Sequence, residues 1–244
     1  MTKYDTANYI LLDVLSKQNH WKTLSKPRKR KQCLCENYEL NNRFIIKKFK
    51  FKNKNRPQVN WWQLEDDILS LLDGALGSPK TYGFLEANHS DRRTVFLVRD
   101  KIRGNTLKEI GQNLLTENQS AETGRLLAEL HNRNIVTRDC HLENLLLTTS
   151  NTLSFIDFGK ARLYARKNMP FFFQAGWDCW KAMWRCNQLD KELCHIMMDN
   201  YWKVIDATIY SKCMYKSMQK FSGAQQRLRL LKNTRKIKGF FLLL

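Results

Sequence analysis

Apolar positions along this chain change period several times, and each change marks an element. Residues 43–50, Arg-Phe-Ile-Ile-Lys-Lys-Phe-Lys, alternate as a strand, and 94–98 form another apolar run of strand length. Between them, after the breaker Pro57, apolar side chains at Trp61, Leu64, Ile68, Leu71 and Leu72 recur at helical spacing until Gly74, Gly77 and Pro79 end the run. Residues 120–133 make the clearest helix, with Leu126, Leu127 and Leu130 on one face and Asn134 suited to a left-handed cap. Two short apolar runs, 145–147 and 153–156, flank a polar turn and predict a β-hairpin. Trp177, Trp180 and Trp184 fall at i, i+3 and i+7, the pattern of a buried helix face. Residues 2–15, with Tyr9, Leu12 and Leu15, fit a short helix or an irregular packing segment.

With 244 residues and 43% hydrophobic side chains, the chain can bury a sizeable core. Forty-two Lys and Arg oppose twenty-three Asp and Glu, so the net charge is +19 and anionic partners are favoured. Thirteen of the cations, against two acids, lie in 22–56, densest at 26–31. That run fits a solvated loop and fits a phosphate-binding one. Ten more cations, against one acid, lie in 203–238 among scattered leucines, followed by the apolar 240–244. Such a tail fits a helix packed on the body and fits an anionic membrane surface. The basic runs lack interleaved aromatics for base stacking, which disfavours nucleic acid. Seven scattered cysteines show neither a disulfide framework nor zinc spacing, so a reducing cytoplasm is expected. No signal peptide is evident near residue 1, and no run is long enough to span a bilayer.

The candidate chemistry sits in 134–162. Asp139, Asn144 five residues on and Asp157 thirteen beyond that stand on otherwise apolar ground. The predicted hairpin would bring Asn144, before its first strand, close to Asp157, after its second. Two oxygen ligands there, with a carboxylate on the preceding loop, suit a magnesium ion bridging phosphate oxygens while the carboxylate orients a hydroxyl.

These residues resemble the motifs of the protein-kinase-like superfamily, H-R-D-L-x-x-x-N and D-F-G. Here the first reads Thr137-Arg138-Asp139-Cys140-His141-Leu142-Glu143-Asn144 and the second Asp157-Phe158-Gly159, with Thr137 in place of the customary His. The resemblance implies an α+β, two-lobed fold: a small β-rich lobe over 1–99 and a mainly α-helical lobe over 100–244. It also implies ATP and Mg2+ as cofactors, Asp139 on the acceptor hydroxyl, and Asn144 and Asp157 as metal ligands. Lys47 would hold the α- and β-phosphates and pair with Glu65, with Lys48 the alternative should the register slip. Asp100 would mark the hinge that receives the adenine. Asp66 and Asp67, on other faces of the Glu65 helix, are expected to be solvated. Asp178 resembles the aspartate that ties down the catalytic-loop backbone, and a plain helix N-cap is equally compatible. His131 is expected in the core; His141 and Glu143 could touch acceptor or phosphate, or be structural.

Two departures shape the functional expectation. No glycine precedes Gly74, so the usual glycine-rich phosphate lid is missing; either the basic run at 26–31 replaces its backbone amides with side-chain charge, or nucleotide is held weakly or not at all. Beyond Gly159 only eighteen residues precede Asp178, with no Ala-Pro-Glu, which argues against a seated peptide and for a small-molecule, sugar or lipid-linked acceptor. The three phenylalanines at 171–173 read as core in preference to a greasy acceptor surface. Within the superfamily the chain looks most like the bacterial lipopolysaccharide core kinases, which phosphorylate heptose or Kdo. That implies an anionic glycolipid or sugar acceptor, and a cytoplasmic protein held peripherally at the inner face of the inner membrane. Another small phosphotransferase acting on a metabolite or protein, and a catalytically inactive kinase-like binding module, are the competing expectations. Oligomeric state is not legible.

Overall fold

The computed structural model describes residues 3–29, 33–51, 61–89 and 92–206. Arg30 and Lys31 of the basic run, Pro57, Cys213 and the tail from 207 onward lie outside the described residues. The fold is α+β, with the sheet concentrated towards the N-terminus. The chain divides into two compact units, Met1–Asn105 with Leu146–Lys160, and Thr106–Leu145 with Ala161–Leu244.

The first unit opens with α1 (Lys3–Ser16), the short β1 (Lys22–Thr23) and β2 (Arg28–Lys29), and the long β3 (Cys33–Leu40) and β4 (Phe44–Phe51). After α2 (Trp61–Leu72) come β5 (Thr81–His89), β6 (Arg92–Asp100) and β7 (Gly104–Thr106). The main sheet is antiparallel in the order β1-β3-β4-β6-β5, and β2 also pairs with β3. Asn41 and Asn42 turn β3 into β4 at φ 52° and 53°, a conformation that asparagine tolerates better than most residues.

Both faces of this sheet are covered, and the period of two sorts its residues between them. Phe44 and Ile46 face Leu11, Val14 and Leu15 of α1, whereas Phe49, Phe51 and Leu97 pack with Trp62 of α2. Each such fully buried side chain contributes about 2 kcal/mol. Helix phases differ from the apolar spacing alone. Tyr9 and Leu12 are 70% and 58% exposed, and Leu71 is 52% exposed. On α2 the buried stripe is Trp62, Glu65, Ile68, Leu69 and Leu72, so a carboxylate occupies a place that the hydrophobic pattern cannot register.

The expected hairpin is present as β9 (Leu145–Thr148) and β10 (Leu153–Phe155), and β7 joins its edge. Thr148 N–H donates to Thr152 O at 2.9 Å across the turn. Gly104 lies at φ +147°, where a Cβ would collide with the Leu147 carbonyl and the Leu146 side chain; only glycine lets β7 close on β9.

The second unit holds α3 (Glu117–Asn132), the two-stranded pair of β8 (Ile135–Val136) and β11 (Arg162–Leu163), α4 (Met169–Arg185) and α5 (Lys191–Val204). α3 begins ahead of the expected Ser120 because Thr116 and Gln119 form a reciprocal capping box, a device stabilising by about 1 kcal/mol. Asn134 has φ 59°, as its place after the helix predicts. α3 packs closely on α5 at Gly124, where a Cβ would run into the Met197 carbonyl.

α4 starts at Met169, capped by Asn168 on Phe171 N–H with Pro170 in the first turn. Of the three phenylalanines read as core, Phe171 and Phe172 are buried and Phe173 is half-buried. Trp180 is buried; Trp177 stacks on it and Trp184 meets it at a tilt, with ring centroids 5.4 and 5.1 Å away, and both stay half-buried. None of the six cysteines among the described residues forms a disulfide. No helix among them is long and apolar enough to cross a membrane.

Candidate functional site

In the first unit, β4 carries Lys47 on the face that α2 covers, and there it is buried. Its Nζ donates to Glu65 Oε1 at 2.6 Å and to Asp157 Oδ1 at 2.9 Å. Strand alternation puts the neighbouring Lys48 on the α1 face, its Nζ 5.2 Å from the Phe96 ring centroid. Arg99 at the end of β6 completes the cluster. It is buried, its Nη1 donates to the Ile156 carbonyl, and it stands 3.8 Å from Glu65 Oε1.

Asp157 lies two residues beyond the end of β10, so the hairpin delivers it, and Gly159 N–H donates to its Oδ1 at 3.0 Å. Burial by itself raises the pKa of Asp157, but the charges of Lys47 and Arg99 and the bonds from Lys47 and Gly159 hold it well below the usual carboxylate range. That direction stands on the cations rather than on burial, since 36% of the side chain remains exposed. The described residues engage only Oδ1, which leaves Oδ2 as an ionised, hard oxygen donor.

In the second unit, the loop after β8 is fixed from α4. Asp178, buried in the middle of that helix, accepts from Thr137 N–H at 2.6 Å, Thr137 Oγ1 at 3.0 Å and Arg138 N–H at 2.7 Å. The loop-tethering reading of Asp178 agrees with this geometry. The N-cap reading does not, because α4 begins at Met169. Thr137 spends its hydroxyl on the same carboxylate, and Arg138 sits at φ 59° with its carbonyl held by Lys181. Behind them the buried His131 places Nε2 3.6 Å from Asp178 Oδ2 and Nδ1 2.9 Å from Tyr201 Oη.

Two residues on, Asp139 is buried and Asn144 Nδ2 donates to its backbone carbonyl at 2.9 Å and to Oδ2 at 3.3 Å. The amide is thereby oriented, with Oδ1 left as its acceptor. His141 Nε2 lies 3.4 Å from Asp139 Oδ2, and Glu143 pairs with Lys108. Cys140, in the same loop, is fully buried; the Cys186 contact and burial push its thiol well above the ordinary range.

The structure therefore gathers Lys47, Glu65 and Asp157 into one cluster and Asp139 and Asn144 into another. Asp100 is at the end of β6, where its carboxylate accepts from Tyr82 Oη at 2.8 Å. Asp66 is not solvated as expected: it is half-buried and accepts from Thr81 Oγ1. Arg99, Lys181 and Tyr201 have no place in the motifs; the only trace of Arg99 in the sequence is a cation closing an apolar strand.

Among the described residues no group of three or more His, Cys, Asp or Glu side chains could enclose a metal. Asp157 in the first unit offers an ionised carboxylate oxygen and Asn144 in the second an amide oxygen, each by itself a hard donor of the kind that magnesium accepts.

No protein-family model matches the chain, and no curated protein matches it in sequence. Among solved structures it is similar to a medium-resolution structure of the bifunctional kinase-methyltransferase WbdD, at 12% identity and a TM-score of 0.45. That overlap covers 76% of this chain and 47% of the other, so the chain spans about half the length of that protein.

Proposed function

We propose that the chain is an ATP- and magnesium-dependent phosphotransferase of two-lobed, kinase-like architecture whose acceptor is a sugar hydroxyl, heptose or Kdo of the lipopolysaccharide inner core. The observation that carries the reading is Lys47, buried in β4 and bonded at once to Glu65 and Asp157. Withdrawing such ions from water costs several kcal/mol each, and apolar side chains would pack there as stably. A cluster of this kind at the end of a hairpin fits a functional site better than a packing role.

In this reading Lys47 meets the α- and β-phosphates, and the Asp100 stretch offers its backbone to the adenine. Asn144 and Asp157 hold magnesium, which when bound offsets the negative charge of the phosphates during transfer. Asp139 accepts a hydrogen bond from the acceptor hydroxyl and aims its oxygen at the γ-phosphorus. The new P–O bond forms as the bond to the β-phosphate oxygen breaks; ADP leaves with that electron pair, and the hydroxyl proton passes to Asp139. Residues 160–168 alone separate Gly159 from α4, which leaves little chain to seat a peptide and supports a small or lipid-linked acceptor. The membrane location follows from the same reading: a cytoplasmic protein, peripheral at the inner membrane, drawn there by its basic surface.

The test is turnover. Asp157→Ala should abolish it, and Asp139→Asn should lower kcat about 1000-fold or more with little change in ATP affinity. Full turnover in both variants would overturn the reading. Mass spectrometry of core oligosaccharide from deletion and complemented strains identifies the acceptor. A second reading, a kinase-like module that binds without catalysis, is favoured by one observation, the absence of any glycine before Gly74. It predicts no ATP turnover in the wild type with any acceptor.

A further inference from the structure

A cleft of about 500 Å³ lies wholly within the second unit, lined by Lys108, Gln112, Asn113, His141, Glu143 and Arg185 among others. Leu142 is its one large apolar contributor, so it is unsuited to a greasy ligand. It is continuous with the catalytic loop, because His141 lines it while placing Nε2 3.4 Å from Asp139 Oδ2.

We infer that this cleft is the acceptor subsite and that it takes a polyhydroxylated compound carrying an oxyanion, such as a sugar phosphate or a sugar acid. The inference rests on the phosphotransferase reading and adds to it the place and chemistry of acceptor recognition. The charged groups facing the cleft are Lys108, Arg185 and Glu143, with the His141 imidazole beside them. Lys108 and Glu143 pair with each other. Arg185 is exposed at the end of α4, and among the described residues no carboxylate pairs with it. Its guanidinium is instead stationed 5.6 Å from the Trp184 ring centroid, which limits its freedom while leaving its planar donors for a carboxylate or phosphate.

The remaining lining suits hydroxyls. Gln112 is fixed by donating to the Leu114 carbonyl at 2.7 Å, and the Asn113 carbonyl is held by Gln188 at 3.0 Å. Both Gln112 N–H groups are spent on Leu114 and Gln119, so what remains for neighbouring hydroxyls is a lone pair on Gln112 Oε1, the Asn113 side-chain amide and the Lys108–Glu143 pair. A volume of this size accommodates one or two sugar rings. An anion held at Arg185 leaves a hydroxyl of the same ring system free to approach His141 and, through it, Asp139.

The experiment follows the ring signals of His141 in the full-length protein by NMR without nucleotide or magnesium, so that it does not depend on turnover. The chain has five histidines, and His141→Gln assigns the signal. Glucose 6-phosphate, glucuronate and glucose are the probes. Shifts with at least one of the two anions, and none with glucose at the same concentration, are expected; the anion with the larger response identifies phosphate or carboxylate as the group recognised. Arg185→Gln should weaken that response about tenfold or more, and Lys108→Gln should weaken it less, since Lys108 is shared with Glu143. Absence of any response to both anions, an equal response to glucose, or an unchanged response in Arg185→Gln would overturn the inference. If the anions bind as expected while turnover is never observed, it is the phosphotransferase reading that fails.

Discussion

Lys47 Nζ stands 2.6 Å from Glu65 Oε1, with the two side chains 8% and 1% exposed. Losing either partner strands the other in a poorly solvated place, but the two losses are not equal. Glu65 without Lys47 keeps only Arg99, at 3.8 Å, while Lys47 without Glu65 still has Asp157. Lys47→Met should therefore destabilise by about 3 kcal/mol and Glu65→Gln by about 1 kcal/mol. Urea denaturation of both variants checks the order; Glu65→Gln being the more damaging would contradict it.

Two aspartates of the first unit should show opposite pH slopes. For Asp157 the folded pKa is lowered, so its contribution is complete above the unfolded value of about 3.9 and lost as pH falls through the lower folded one. Asp66 is the reverse: burial, then the nearby Asp67 and Glu65, raise its pKa against the lowering bond from Thr81, so stability is lost as pH rises through the folded value. Asp66→Asn should be more thermostable than wild type at pH 7, with the gain shrinking towards pH 4. Asp157→Asn should be less stable at pH 7, with its deficit persisting at pH 4. Parallel melting curves at the two pH values decide both.

The proposal that the basic run stands in for a phosphate lid can be tested at β2. Arg28 and Lys29, both exposed, lie on β2 and pair in register with Cys35 and Leu34 of β3, two strands away from Lys47. If these cations help neutralise the triphosphate, the Arg28→Ala, Lys29→Ala, Arg30→Ala triple variant should bind ATP about tenfold more weakly by calorimetry and depend more steeply on Lys47. Unchanged affinity would return the run to a solvated loop.

The cationic tail, outside the described residues, is proposed to bind anionic membranes electrostatically. Truncation after Gly223 should release the protein from anionic vesicles while leaving ATP binding intact. Salt should release the full chain as well, because such contacts are screened over roughly 8 Å at physiological ionic strength. Co-sedimentation that is equal for both forms, or that ignores salt, would sink the idea.

What could be read in the sequence was whatever is periodic or local. The 145–155 hairpin, the apolar face of α3 and the left-handed Asn134 were all legible because short-range sterics and burial fix them. Lys47 and Lys48 could be separated only by knowing which face each occupies, and the alternation of β4 supplies that once its register on β3 and β6 is set. Helix phase was less legible. α2 buries Glu65 because Lys47 awaits it, so a count of apolar positions rotates the helix towards Leu71. Asp178 illustrates a third kind of loss. An acid inside a helix carries no mark of its partners on another segment, forty-one residues from Thr137, so a local capping role looked equally good. The buried His131–Tyr201 contact spans seventy residues and was invisible for the same reason.

The chain passes from the first unit to the second at residue 105, returns at 146 and leaves again after 160. Lys47 consequently waits 110 residues for Asp157. During synthesis at roughly 5–20 residues per second, the ribosome would release the sheet and α2 several seconds before the carboxylate that completes the lysine cluster. A nascent chain that has just completed β7 would carry Lys47 with Glu65 but without Asp157, and in β7 an open edge where β9 is to pair. That edge is a surface on which chaperones, or another nascent copy, can act. Maturation of the candidate nucleotide site is thus tied to synthesis of the hairpin rather than to completion of the first sheet, and a ribosome stalled before residue 146 should expose a fragment with an unfinished lysine cluster.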